Sequence, residues 1–332
     1  MSDGVPVIDI SPWLAGDAAG RRAVACQVDD ACREWGFLII VGHGVSADEV
    51  TAMERAAWAF FDLSLSERLA CELPPQPGRR GYQRFATGVN GRLLGRDAPP
   101  DLRESFRMGP EAVAGDPYYD SQEMRGFFKP NVWPQAAPEM RAVWERYYAA
   151  MGVLALQLMQ IFAEALELPR NWFDDKLSRP ASQLVAQHYP ALESAPPPDQ
   201  FRNHAHTDFG NLTILKSEDR PNGLQVLGRD EVWHEVVPVP GTFIVNIGDM
   251  LAQWTNDRWH STMHRVANPP DDERTRARRL SVVFFHEPSP NALIDAVPSC
   301  VSAEWPKKYA PIRAGEYMAK KLDLVQDYVT SA

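Results

Sequence analysis

At 332 residues, with 45% hydrophobic and 23% charged side chains, the chain can bury a sizeable core and is too apolar to be disordered. Its 34 Lys and Arg against 44 Asp and Glu leave a net charge of −10, which argues against nucleic acid or anionic membrane surfaces as partners. The start, Met1 to Asp9, has no basic and apolar leader, and no apolar run reaches the roughly 18–20 residues of a bilayer span.

The four cysteines, Cys26, Cys32, Cys71 and Cys300, show no CxxC pairing, so the expectation is a soluble protein of the reducing cytoplasm. Val5–Ile10 reads as a short β-like opening. Ala18 to Trp35 has helical spacing, Gly36 stops it, and Phe37–Val41 is an apolar run of strand length. Ser46 with Glu49 three residues on predicts a capping box for a helix to about Phe61. Pro74 to Pro100, rich in Gly, Pro and Arg, reads as loop.

From Glu139 to Leu168 apolar residues recur at Val143, Tyr147, Met151, Leu154, Leu158, Ile161, Phe162 and Ala165. These steps of three and four bury one helix face, and Pro169 ends it. The period then changes. Between Gln183 and Glu287 short strands are predicted at Leu184–Tyr189, Leu212–Leu215, Leu224–Leu227, Val232–Val236, Thr242–Ile247, Thr262–Val266 and Arg279–His286. Turn signals at Pro221-Asn-Gly223, Pro240-Gly241 and Gly248-Asp249 separate them. This pattern predicts a mostly β protein with flanking helices and a jelly-roll (double-stranded β-helix) core. A last helix is predicted from about Ala314 to Tyr328. The expected organisation is an N-terminal α/β region (1–115), a helical segment packing on the core (116–180), the jelly roll (181–300) and a C-terminal helix (301–332), within one unit.

Asn203-His-Ala-His-Thr-Asp-Phe-Gly210 carries the chemistry. Residues two apart on a strand share a face, so His206 and Asp208 project side by side. One more histidine completes the two-histidine, one-carboxylate set of non-haem iron(II), which leaves coordination positions open. His264, in Ser261-Thr-Met-His-Arg-Val266, is the best third ligand. His260 competes from the preceding turn, and His204, also two residues from His206, leaves the choice of pair open on spacing alone.

These residues stand in a longer pattern. His206-Thr-Asp-Phe-Gly-Asn-Leu-Thr-Ile-Leu215, Gly223-Leu-Gln-Val226, Val245-Asn-Ile-Gly-Asp249, His264-Arg-Val266 and Arg279-Leu-Ser281 follow one another in order, preceded by Trp35-Gly-Phe37 and Gly42-His-Gly44. The chain resembles the isopenicillin-N-synthase-like branch of the 2-oxoglutarate/iron(II) dioxygenases over almost its whole length. Asp101-Leu-Arg-Glu-Ser-Phe106, the long loop before Arg279 and Ile294–Pro298 resemble the thymine-hydroxylase-like members.

The resemblance implies His206, Asp208 and His264 as iron ligands, excluding His204 and His260. It implies Arg279, Ser281 and Tyr189 around 2-oxoglutarate. A guanidinium fork suits a carboxylate, and the hydroxyl two residues on shares its strand face. Phe285 is the implied substrate contact, with Phe106 and Tyr82 as further candidates. The implied reaction is oxidation of a C–H bond of a small organic molecule by iron(II), 2-oxoglutarate and O₂, by hydroxylation, desaturation or cyclisation. An iron oxidase that uses no 2-oxoglutarate is the alternative, since an arginine at 279 can hold a substrate carboxylate instead. The fourteen residues between His264 and Arg279 are absorbed by a longer hairpin at Pro269–Arg276, because loop closure costs little per added residue.

Overall fold

The computed structural model describes residues 4–72, 80–88, 90–91, 98–192, 194, 196–219, 223–269 and 278–321. The predicted turn at 221–222, most of the lengthened hairpin at 269–276, parts of the Pro74–Pro100 loop and the last helix beyond residue 321 lie outside these.

The elements run β1 (Val7–Asp9), α1 (Ser11–Leu14), α2 (Ala18–Glu34), β2 (Phe37–Val41), α3 (Ala47–Phe61), α4 (Leu65–Leu69), β3 (Gly81–Gln83), β4 (Glu104–Met108), α5 (Gln122–Phe127) and α6 (Met140–Ala165). The chain continues as β5 (Gln183–Tyr189), β6 (Asn203–His206), β7 (Leu212–Ser217), β8 (Leu224–Leu227), β9 (Trp233–Glu235), β10 (Phe243–Ile247), α7 (Asp249–Trp254), β11 (His264–Val266), β12 (Arg279–His286), β13 (Leu293–Ile294) and β14 (Ile312–Arg313). Residues 314–321 begin a further helix.

Several local expectations shift. Ser46 accepts the backbone N–H of Asp48, while the reciprocal capping box forms one helix later, between Ser64 and Glu67. Gly36 ends α2 at φ +63°, where an added Cβ would lie 2.2 Å from the His260 carbonyl oxygen, so only glycine fits. α6 is long and apolar enough to cross a membrane by length and composition, and half of its most apolar stretch is buried inside the protein. Its inner face packs on α2, α3 and the main sheet, with Trp144 fully buried and Val143 only partly so. β3, β4 and α7 go beyond the expected elements.

Two sheets make the jelly roll. The larger has the order β1-β2-β10-β7-β12-β5-β4-β3 and the smaller β6-β11-β8-β9. Pairing is antiparallel except between β1 and β2. The N-terminal region therefore adds four strands to the sheet that holds β5, β7, β10 and β12.

The two faces of the large sheet differ. Leu38, Ile40, Phe106, Ile214, Val245, Val282 and Phe284 face the helices and join one apolar core. Phe37, Ile39, Tyr189 and Ile244 face the small sheet and pack on Leu224, Val226 and Val266. The smaller core leaves room on that face for polar side chains, and these build the site.

Candidate active site

The small sheet places the first pair of ligands. His264 of β11 lies opposite His206 of β6, but Val266 lies opposite Asn203, so two steps along β11 match three along β6. This bulge breaks the two-residue alternation and re-aims the side chains. His204 consequently does not share the face of His206. Its backbone N–H and Nδ1 meet Asp101 Oδ1 at 3.0 and 2.7 Å, and Nε2 meets the Asp199 carbonyl at 3.1 Å. His260 sits against the Arg229 guanidinium, away from the triad. The ambiguity of His-x-His-x-Asp is thus resolved by an extra residue in a strand.

The ligand atoms of His206, Asp208 and His264 all lie within 4.8 Å of one another. His206 Nδ1 donates to the His204 carbonyl at 2.7 Å and His264 Nδ1 to the Thr262 carbonyl at 3.0 Å. A carbonyl only accepts, so both protons sit on Nδ1 and both Nε2 lone pairs are free for a metal. Each Nε2 lies 3.8 Å from Asp208 Oδ1. The other carboxylate oxygen, Oδ2, accepts Thr213 Oγ1 at 2.5 Å and Asn246 Nδ2 at 2.8 Å. The backbone is pinned as well: Asp249 N–H, at the start of α7, donates to the Asp208 carbonyl at 2.7 Å. Phe37 packs edge-on against His264 at 5.3 Å.

Burial, reinforced by His264 alongside, pushes the His206 imidazole down to about 4, so it is neutral at neutral pH. Burial alone would raise Asp208. The two imidazoles and the hydrogen bonds from Thr213 and Asn246 outweigh it and hold the carboxyl below its ordinary range. Two imidazoles and one carboxylate oxygen are the donor set that iron(II) takes while keeping open positions.

Across the sandwich, period-2 alternation brings Arg279, Ser281, Val283 and Phe285 of β12 to the same inner face. Arg279 pairs with Tyr189, and Ser281 lies between Gln187 and Ser217. The Arg279 guanidinium carbon stands 4.7 Å from the centre of the Tyr189 ring, and Nη2 reaches Ser217 Oγ at 3.4 Å. Tyr189 donates to Gln187 Oε1 at 2.8 Å. Arg202 approaches the same ring at 5.8 Å. Phe285 pairs with Thr213, the residue that holds Asp208, so it lies on the inner face near the triad.

Phe106 and Tyr82 are placed elsewhere. Both are on the opposite, helix-facing side of the sheet, paired with each other across β3 and β4. Phe106 is wholly buried against Phe60 and Trp144, and the Tyr82 hydroxyl donates to Glu104. Their strand parity points them away from the iron side, so neither lines the inner face.

Thr213, Asn246, Gln187 and Ser217 were not singled out from the sequence. Parity on β7, β10 and β5 relative to Arg279 and Ser281 would have found them, once the pairing register was known.

Residues 5–136 match the family model described as non-haem dioxygenase in morphine synthesis N-terminal, and residues 180–288 match the 2OG-Fe(II) oxygenase superfamily. Validamycin A dioxygenase of Streptomyces hygroscopicus subsp. limoneus is 31% identical over 325 residues, covering 97% of this chain and 86% of its own. A homoarginine-6-hydroxylase of Glycine max is 34% identical over 296 residues, covering 85% of each chain. Among solved structures, the Neurospora crassa thymine-7-hydroxylase in complex with alpha-KG and thymine superposes with a TM-score of 0.85 at 27% identity, covering 98% of both chains. The chain belongs to the 2-oxoglutarate- and iron(II)-dependent oxygenases. Its cofactors are therefore iron(II), 2-oxoglutarate as co-substrate, and O₂, and the expected likeness to thymine-hydroxylase-like members is matched by the Neurospora enzyme.

Proposed function

We propose that the protein oxidises a C–H bond of a small, polar, heterocyclic or nitrogen-bearing molecule, with iron(II) held by His206, Asp208 and His264 and 2-oxoglutarate by Arg279, Ser281 and Tyr189. The observation that carries this reading is the orientation of the donors. Both Nδ1 atoms and Asp208 Oδ2 are committed to protein partners, leaving three atoms from two distant stretches of chain converging on one point.

Bound iron(II), with 2-oxoglutarate and O₂, supplies the oxidising chemistry, in which the co-substrate leaves as succinate and CO₂ and one oxygen atom reaches the substrate carbon. The protein binds, orients and shields. Arg279, buried and stacked on Tyr189, offers a fixed fork to the far carboxylate of 2-oxoglutarate, and Ser281 adds a hydroxyl on the same face. Phe285 walls the substrate side. Apolar packing at Phe37 keeps bulk water from the ligand imidazoles.

Relatives whose names specify thymine and homoarginine support a nitrogen-bearing substrate, and these two compounds are the first to test. The four free cysteines support a cytoplasmic location. Purified protein with iron(II) and ¹⁴C-labelled 2-oxoglutarate should release succinate and CO₂, faster when substrate is present. No release with any compound would remove the reading.

A further inference from the structure

Beyond Phe285 the inner face carries a group that the reaction, as set out above, does not use. Glu287 follows β12 and is 6% exposed. Its Oε2 has no hydrogen-bond partner among the described residues. The carboxyl lies against the backbone after Asp208: a Cβ on Gly210 would stand 2.7 Å from Oε2. Gln183, the strand partner of Phe285, lines the same small cavity and accepts Arg107 Nη1 at 2.7 Å. Glu287 thus sits between the metal-binding turn and the Arg107–Gln183 pair.

A buried carboxyl oxygen without a donor is costly, and natural proteins rarely keep one without a reason. Asn211, wholly buried at the neighbouring strand start, likewise has neither amide atom partnered among the described residues. The missing partner for Glu287 is a hydrogen-bond donor.

We infer that Glu287 is a specificity-determining residue that accepts an N–H donor of the substrate, carried by a cationic amine or guanidinium group or by a neutral ring amide. The inference rests on the proposed function, because it places the substrate on the Phe285 side of the iron. The cavity beside Glu287 measures about 10 Å³, room for a single water, so only the tip of a substrate group reaches it. A resident water would be the competing donor, and the test separates the two.

Protein loaded with iron(II) and 2-oxoglutarate without oxygen is titrated with thymine, L-homoarginine and 1,3-dimethylthymine. The visible band of the iron–2-oxoglutarate complex and the heat of binding are followed. Wild type should bind at least one N–H probe, and 1,3-dimethylthymine at least tenfold more weakly than thymine if thymine is that probe. E287L should weaken the bound probe at least tenfold while keeping the band and the melting temperature. E287Q distinguishes the sources: it should weaken a cation as much as E287L does, and a neutral amide less. The inference is overturned if no N–H probe binds, if 1,3-dimethylthymine binds as tightly as thymine, or if E287L binds like wild type, which would leave only a cavity water. A wild-type protein that shows no band would instead sink the cofactor reading beneath it.

Discussion

The two faces of the large sheet are made by the same strands and do opposite work. On β12, Leu280, Val282 and Phe284 enter the helix-side core, while Arg279, Ser281 and Phe285 turn to the iron side. The helix side also carries ionisable groups, and there they pair with one another around Glu104. Glu104 takes His188 Nδ1 at 2.7 Å, Arg68 Nη1 at 2.5 Å and the Tyr82 hydroxyl, and so ties β3, β4 and β5 together. On the iron side the ligand atoms of His206, Asp208 and His264 converge to within 4.8 Å of one another. A closed network stabilises a fold, whereas an open one aimed at a shared centre prepares a reaction.

That contrast can be broken by substitution on either face. The largest effect is expected from H264A, which removes one of three ligands. Iron binding and succinate release should fall to background while the far-ultraviolet circular dichroism stays unchanged, and retained turnover would mean that the triad is misassigned. Next comes Phe106→Ala on the helix side. Emptying a fully buried aromatic site should cost about 3–5 kcal/mol of stability by denaturant unfolding, yet leave KM for 2-oxoglutarate as it was. A large change in that KM would mean that the faces are not independent.

A smaller effect is expected from Arg279→Gln. Losing a charge-assisted fork of roughly 1.5–3 kcal/mol should raise KM for 2-oxoglutarate about tenfold to hundredfold. Stability should change little, since the substitution keeps a polar side chain of similar reach. If KM holds and only the substrate response changes, Arg279 binds substrate and the oxidase alternative gains ground.

Much of this was legible in the chain. The change of period after Pro169 announced the β core, and β12 matches its predicted range of Arg279–His286. The triad was legible only through the family resemblance, because spacing alone left His204 and His260 open as ligands. What stayed hidden depends on register. Nothing in Asn203-His-Ala-His206 reveals a bulge, since an extra residue is defined only by the opposing strand. Phe106 and Tyr82 are only candidates for the pocket on sequence, because an aromatic side chain suits a pocket and a core equally well. Only the pairing of β4 with β5 decides which side they face. α7 was not predicted beyond the turn signal at Gly248-Asp249, because its six residues are too few to show a helical period.

The smallest effect concerns the support beneath the ligands, where the two kinds of network meet. Asp101 is wholly buried and holds His204, whose carbonyl in turn orients His206. Burial opposes its ionisation, but His204 and Arg103 outweigh it and hold the Asp101 carboxyl below its ordinary range. His204 moves the other way: burial lowers it, and Asp101 more than compensates, so it ends above its ordinary value of 6.5. The signs then fix the pH window. The Asp101 contribution is full above the ordinary carboxylate range and is lost as pH falls through its depressed value. The His204 contribution is full below 6.5 and is lost as pH rises through its raised value. The stabilising pair is therefore complete only at mildly acidic pH, between the two ordinary values. Asp101→Asn should cost about 1–3 kcal/mol there, with the difference from wild type shrinking toward both acid and alkaline pH in melting curves. Iron affinity should fall roughly tenfold, because a support behind a ligand rather than a ligand is lost. A melting difference that is flat with pH would show that Asp101 acts by shape alone and not as the charged partner of His204.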